Sequence, residues 1–209
     1  MNIIGEAIKR PFTDFKKLVI GIILSIIPII NLFSLGYVME CAKSANKKDF
    51  ELPKWKNFGD LFVNGFFVTL ICAIYAIPLI LYGIWIFGMT ILKVIFTSTL
   101  PQVTLSPIPF IAWLFLLIIT IYVTPAAILS FVFNKNLRSA FKIRKIFDKT
   151  FTKKYFKTWI KATIVFFAII IILGGIGYLS QNKLTSRISE GISGFVAGIS
   201  FITIMGKEW

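Results

Sequence analysis

The 209-residue chain has no histidine, two cysteines and nine acidic residues. The missing histidine removes the commonest general base, proton shuttle and metal ligand together. Cys41 and Cys72 lie in different segments without paired spacing, so they indicate neither a disulfide framework nor a zinc site and read as buried or interfacial thiols. No catalytic residue, metal or cofactor is therefore expected, and an intramembrane enzyme is the least favoured class. Charge is also missing from long stretches: residues 18–39, 61–92, 94–134 and 162–182 hold no Asp, Glu, Lys or Arg. A charge at the bilayer centre costs about 2.5–3.5 kcal/mol on insertion scales and marks transport paths and proton relays. No apolar run here carries one at mid-depth.

Against these absences stand 57% hydrophobic residues, a mean hydropathy of +0.84 and 23 Lys and Arg. One soluble core of this length cannot hide so much Ile, Leu and Phe. Nucleic-acid binders set their basic residues on a polar fold. Here the basic residues flank apolar runs, as the positive-inside rule describes, and no nucleic-acid partner is expected. The sequence predicts an all-α polytopic membrane bundle with four spans plus a Pro-broken N-terminal hairpin or fifth span.

A hydrocarbon core of about 30 Å needs about 20 helical residues. The expected single membrane domain covers residues 1–209, with an amphipathic N-terminus at 1–17 and apolar segments at about 18–39, 61–92, 108–133, 159–182 and 188–206. A linker at 40–60 and a basic loop at 134–158 complete it. Lys9, Arg10, Lys16 and Lys17 before the first run imitate a secretory signal, but no small-x-small cleavage site follows and Glu40 spoils a lipoprotein motif. Pro101, Pro107, Pro109, Ser98 and Ser106 suggest a short external connection over 97–109. Asn64, Thr69, Thr120 and Thr124 read as polar glue between helices, and Tyr75, Tyr82 and Tyr122 as packing residues with one bonded hydroxyl.

Ten of the 23 cations fall in residues 135–161, with Asp148 the only acid there. If residues 18–39 enter and leave by one face, 20 cations share the cytoplasmic side and three lie opposite. Pro28 and Asn31 supply the segment break that such a hairpin needs, with Gly36 also suited to a turn. A single kinked span with Asn31 bonded to a neighbour is the alternative. Either way the linker, the basic loop and the C-terminus face the cytoplasm, in the cell membrane. Gly191, Gly194 and Gly198 repeat at three- and four-residue steps, which suits close helix packing, with Gly174, Gly175 and Gly177 as internal partners.

In the basic loop, Leu137, Ala140, Phe141, Ile143, Ile146 and Phe147 interleave with Arg138, Lys142, Arg144 and Lys145, approximating an amphipathic interfacial helix. Lys142, Arg144, Lys145, Lys149, Lys153 and Lys154 are the candidate contacts to membrane lipids, especially anionic ones, or to a membrane protein partner. They equally serve as a topological anchor. A small-solute transporter or channel is the alternative, motivated by Pro78 and Pro125 inside the second and third spans.

Several runs carry a family likeness. They are Ala7–Arg10 with Pro11-Phe12, Ile27-Pro28-Ile29-Ile30-Asn31 with Leu35-Gly36-Tyr37, and Leu52-Pro53-Lys54-Trp55 with Phe58-Gly59-Asp60-Leu61-Phe62 and Gly65. Further on come Pro125-Ala126-Ala127, Ala140-Phe141, Tyr155, Trp159 and Gly206. With these residues the chain resembles an uncharacterised prokaryotic, largely archaeal, family of multi-pass membrane proteins, domain of unknown function 4013. The resemblance implies a multi-pass fold and no catalytic residues. The linker motif has its own reading: Pro53 stiffens the chain, Trp55 and Phe58 sit at interface depth, Gly59 permits close backbone approach and Asp60 caps the next helix.

Overall fold

A computed structural model describes residues 3–97, 107–179 and 182–209. The described residues are helical without a strand: α1 (Ile3–Lys9), a 3-10 turn (Arg10–Phe12), α2 (Phe15–Ile26), α3 (Asn31–Asn46), α4 (Phe58–Thr97) and α5 (Pro107–Asn134). There follow a second 3-10 turn (Leu137–Phe141), α6 (Ile143–Thr150), α7 (Lys153–Ile169), a π-helical turn (Ile170–Gly174), α8 (Gly175–Leu179) and α9 (Lys183–Glu208). Four helices are long and apolar enough to cross a membrane: Phe58–Met89, Pro107–Asn134, Lys153–Leu179 and Leu184–Glu208.

Residues 18–39 form a hairpin. The chain breaks between Ile26 and Asn31, with Pro28 in the break and Ile29 in the left-handed region at φ 69°. α2 has 12 residues, about 18 Å of helix, which falls short of a hydrocarbon core of about 30 Å. Ser34 Oγ donates to Gly21 O at 2.9 Å and closes α3 back onto α2. Asp14 caps α2 by accepting from Lys17 N at 3.1 Å, and that bond holds its carboxyl below the usual range. Asn31 opens α3, whereas Gly36 lies inside that helix and makes no turn.

α3 lies at the centre, packed on α4 on one side and on α9 on another; α5 lies against α4, and α7 against α9. Two glycines let the α3 and α4 backbones touch. A Cβ on Gly36 would stand 1.9 Å from Leu61 O, and one on Gly65 would stand 1.9 Å from Leu32 O. The close approach expected at Gly194 and Gly198 is absent: a Cβ at Gly194 would meet nothing within 4 Å, and at Gly198 only Val38 at an ordinary 3.9 Å. Gly191 does fit tightly, 2.5 Å from Ile26 Cγ1. The internal partnership with α8 uses serines instead, since a Cβ on Gly177 would stand 2.4 Å from Ser189 Cβ.

Several local expectations change. Pro107 and Pro109 lie in the first turn of α5, where a missing N–H costs nothing, so the connection is shorter than 97–109. Ser98, Pro101 and Ser106 lie outside the described residues. Thr69, Thr120 and Thr124 donate to Gly65 O, Leu116 O and Thr120 O of their own helices rather than across to a neighbouring helix among the described residues. α4 starts before Asp60, which sits in its first turn after Asn57 at φ 51°, and a Cβ on Gly59 would meet nothing. Cys41 is buried and Cys72 exposed.

Candidate functional site: the basic end of the bundle

One end of the bundle gathers four chain segments. Arg10, fully buried, reaches Cys41 O at 2.8 Å, Thr203 Oγ1 at 2.9 Å and Glu51 O at 3.1 Å, and also donates to Ser44 Oγ. It thereby ties the N-terminal segment to α3, the linker and α9. Burial lowers its pKa, and carbonyl and hydroxyl oxygens surround the guanidinium. Lys207 pairs with Glu6 at 3.6 Å, and Asn46 Nδ2 donates to Gly206 O at 3.1 Å, so the end of α9 meets both α1 and α3.

The linker is pinned by its aromatic residue. Trp55 stacks on Tyr37 with ring centroids 3.9 Å apart and donates from Nε1 to Lys17 O at 3.1 Å. Tyr37 Oη donates to Pro53 O at 2.8 Å, and Lys17 Nζ to Leu52 O at 2.8 Å. Trp55 is thus a clamp on the foot of the hairpin.

The basic loop divides at Lys142 into the second 3-10 turn and α6 rather than forming one helix. The turn is held by Ser139 Oγ donating to Ser130 O and by Tyr75 Oη donating to Ala140 O at 2.7 Å. Around α6 the side chains fall into three sectors. Ile146 and Thr150, four residues apart, are buried against the bundle. Ile143, Phe147 and Phe151, also at four-residue steps, face outward at 63%, 39% and 72% exposure. Arg144, Lys145, Asp148 and Lys149 take the remaining arc and are exposed. An aromatic cluster anchors this segment: Tyr122 of α5 makes edge-to-face contacts with Tyr155 and Trp159 at 5.3 and 5.1 Å, and donates to Thr150 O.

All six candidate contact residues are exposed, but they are not equivalent. Lys149 lies 3.8 Å over the Trp209 ring, where partial burial lowers its pKa, and Lys154 pairs with Glu208 at 3.3 Å. Lys142, Arg144, Lys145 and Lys153 make no ion pair among the described residues. No group of His, Cys, Asp and Glu that could hold a metal occurs among the described residues.

Sequence reasoning missed Arg10, reading it as one more flanking cation. A signal was present, since Arg10 is the only arginine before Arg138 in a chain that otherwise uses lysine there. It also missed Gly36 and Gly65 as a packing pair, although both stand in the family-like runs.

An all-α bundle with four helices long and apolar enough to cross a membrane has the architecture of a multi-pass membrane protein. Residues 20–179 match the family model described as protein of unknown function DUF4013, and the chain belongs to that family. No curated protein and no solved structure matches the chain.

Proposed function

We propose that the protein is a non-enzymatic membrane component that contacts anionic lipid, or an acidic partner protein, through a cytoplasmic basic face. The observation that carries this reading is the three-sector surface of α6. A helix held to the bundle by Ile146 and Thr150 presents Ile143, Phe147 and Phe151 beside a basic arc. That is the chemistry of a helix lying in a headgroup layer, apolar residues toward acyl chains and cations toward phosphates. The orientation follows from charge: the N-terminal segment, linker, basic loop and Lys207 hold 20 of the 23 cations, an asymmetry the positive-inside rule assigns to the cytoplasm.

The test uses the four unpaired cations. Each cation near an anionic surface contributes about 1 kcal/mol, fading within a Debye length. Lys142→Gln, Arg144→Gln, Lys145→Gln and Lys153→Gln together are expected to lower the anionic lipid or the partner co-purifying in mild detergent several-fold, with thermal stability and orientation retained. Undiminished recovery of both from correctly inserted protein would leave the loop as a topological anchor and end this reading. A small-solute transporter or channel is the competing reading, and solute flux through proteoliposomes above that of empty vesicles would favour it.

A further inference from the structure

A cavity of about 900 Å³ opens at the basic end between α3, the linker, α4 and α5, away from the α6 surface. Its walls carry five lysines and three acids, so its charge is net positive. The acids have local duties: Glu40 pairs with Lys43 at 2.6 Å, the Asp49 carboxylate accepts from Glu51 N at 3.0 Å, and Asp60 lies in the first turn of α4. Lys47, Lys54, Lys56 and Lys135 make no ion pair among the described residues. Two of these stand on a fixed stretch of backbone, because Lys54 and Lys56 flank Trp55, which Tyr37 and Lys17 O clamp. Beneath them the lining is apolar, with Phe67, Phe131 and Val132. Val63 also lines the cavity and is 48% exposed, next to Phe66 at 50%, so the apolar part continues onto the outer, exposed side of α4.

We propose that this cleft is a discrete binding site for one anionic phospholipid, its phosphate among Lys54, Lys56 and Lys135 and its acyl portion leaving past Val63. A cationic mouth over an apolar floor matches an amphiphile with a negative head. A free inorganic anion would have no use for the floor, and a zwitterionic lipid less use for the excess of lysine.

The test titrates the full chain, in a neutral mild detergent, with dihexanoyl phosphatidylglycerol and dihexanoyl phosphatidylcholine, read by native mass spectrometry and calorimetry. One phosphatidylglycerol is expected to bind per chain in preference to phosphatidylcholine. Lys54→Gln with Lys56→Gln and Lys135→Gln should weaken it by at least about tenfold, while the three Lys→Arg replacements retain it. These lysines are exposed, so the variants should melt with the wild type. Neutralising Arg144 and Lys145 should leave this binding unchanged, which separates the cleft from the α6 face. Equal binding of both lipids, an unaffected cleft variant, loss through the α6 variant alone, or full displacement by millimolar inorganic phosphate would each overturn the proposal.

Discussion

Replacing Arg10 tests the packing of the basic end most directly. Its guanidinium makes four hydrogen bonds, to Cys41 O, Thr203 Oγ1, Ser44 Oγ and Glu51 O, and these join segments up to 193 residues apart. Their gross strength is not the expected loss, because the folded state also carries the cost of burying the charge. What matters is which partners are left unpaired. Thr203 Oγ1 still donates to Ile199 O at 2.6 Å, and Ser44 Oγ still reaches Glu40 O at 3.3 Å. Cys41 O retains Ser44 Oγ at 3.3 Å. Glu51 O is the partner that loses its bond. Arg10→Met, which keeps most of the volume and removes the charge, should therefore cost about 0.5–1.5 kcal/mol, the net worth of one hydrogen bond, because the orphaned carbonyl belongs to Glu51, an exposed residue. Arg10→Ala adds a cavity among Cys41, Ser44 and Thr203 and should cost about 3–5 kcal/mol. Arg10→Lys keeps charge but not the planar fork, and should fall between wild type and Met.

The assay is thermal unfolding in mild detergent combined with limited proteolysis. Cleavage within residues 47–57 should speed up before the spans melt, because Glu51 belongs to the segment that Arg10 holds. If Arg10→Met were as stable as wild type and equally protease-resistant, the desolvation cost would cancel the bonds entirely. If Arg10→Ala were also neutral, the picture of Arg10 as the tie between four segments would be wrong.

Gly36→Ala must push the α3 and α4 backbones apart and should cost about 1–3 kcal/mol or more, whereas Gly194→Ala, with open space around it, should gain about 0.5–1 kcal/mol; equal melting shifts would refute the packing assignment. In a background with Cys41 and Cys72 replaced by Ala, cysteine at Thr185 should react with an impermeant thiol reagent in intact cells, and cysteine at Lys145 should react only after lysis. The opposite pattern would invert the assigned orientation. Tyr37→Phe removes only the bond to Pro53 O and should cost about 0.5–1.5 kcal/mol, while Trp55→Ala loses the stacked ring as well and should cost about 3–5 kcal/mol, both read by thermal unfolding.

The long elements were legible because their signal is local. Charge-free runs near 61–92 and 108–133 need no tertiary information to be read as helices, and α4 and α5 extend them by only a few residues. The hidden features depend on which surfaces meet. Gly194 and Gly198 have the spacing of a packing motif, and Gly36 and Gly65 have none within one helix. Yet the second pair makes the contact, because it comes from two different helices. The basic loop misled for a related reason. Its apolar residues suit one helix, but Ser139 bonding to Ser130 and Tyr75 bonding to Ala140 O hold a separate turn, and α6 starts again after Lys142. Arg10 shares its charge with its neighbours in sequence and differs from them only as an arginine among lysines, while the partners that give it its role, Cys41 and Thr203, lie far along the chain.

Three prolines interrupt apolar runs, and their different outcomes show what decides between a span and a half-span. α4 continues through Pro78 and α5 through Pro125, whereas the chain turns back at Pro28. The ring removes one donor in each case, so the local penalty is similar. What differs is the gain available on either side. After Pro28 a returning helix finds small residues: Ser34 bonds to Gly21 O, Gly36 accepts the α4 backbone, and Gly21 lies under the Phe195 ring. Below the turn, Tyr37 meets Trp55, and Cys41 O meets Arg10. A straight continuation would forfeit all of these contacts. Beyond Pro78, by contrast, Ile80, Leu81, Ile84 and Trp85 are more than half exposed, so a turn there would find no comparable surface, and lipid rewards the straight helix. The hairpin is therefore a tertiary decision written in glycine and serine, and the proline only lowers the cost of making it.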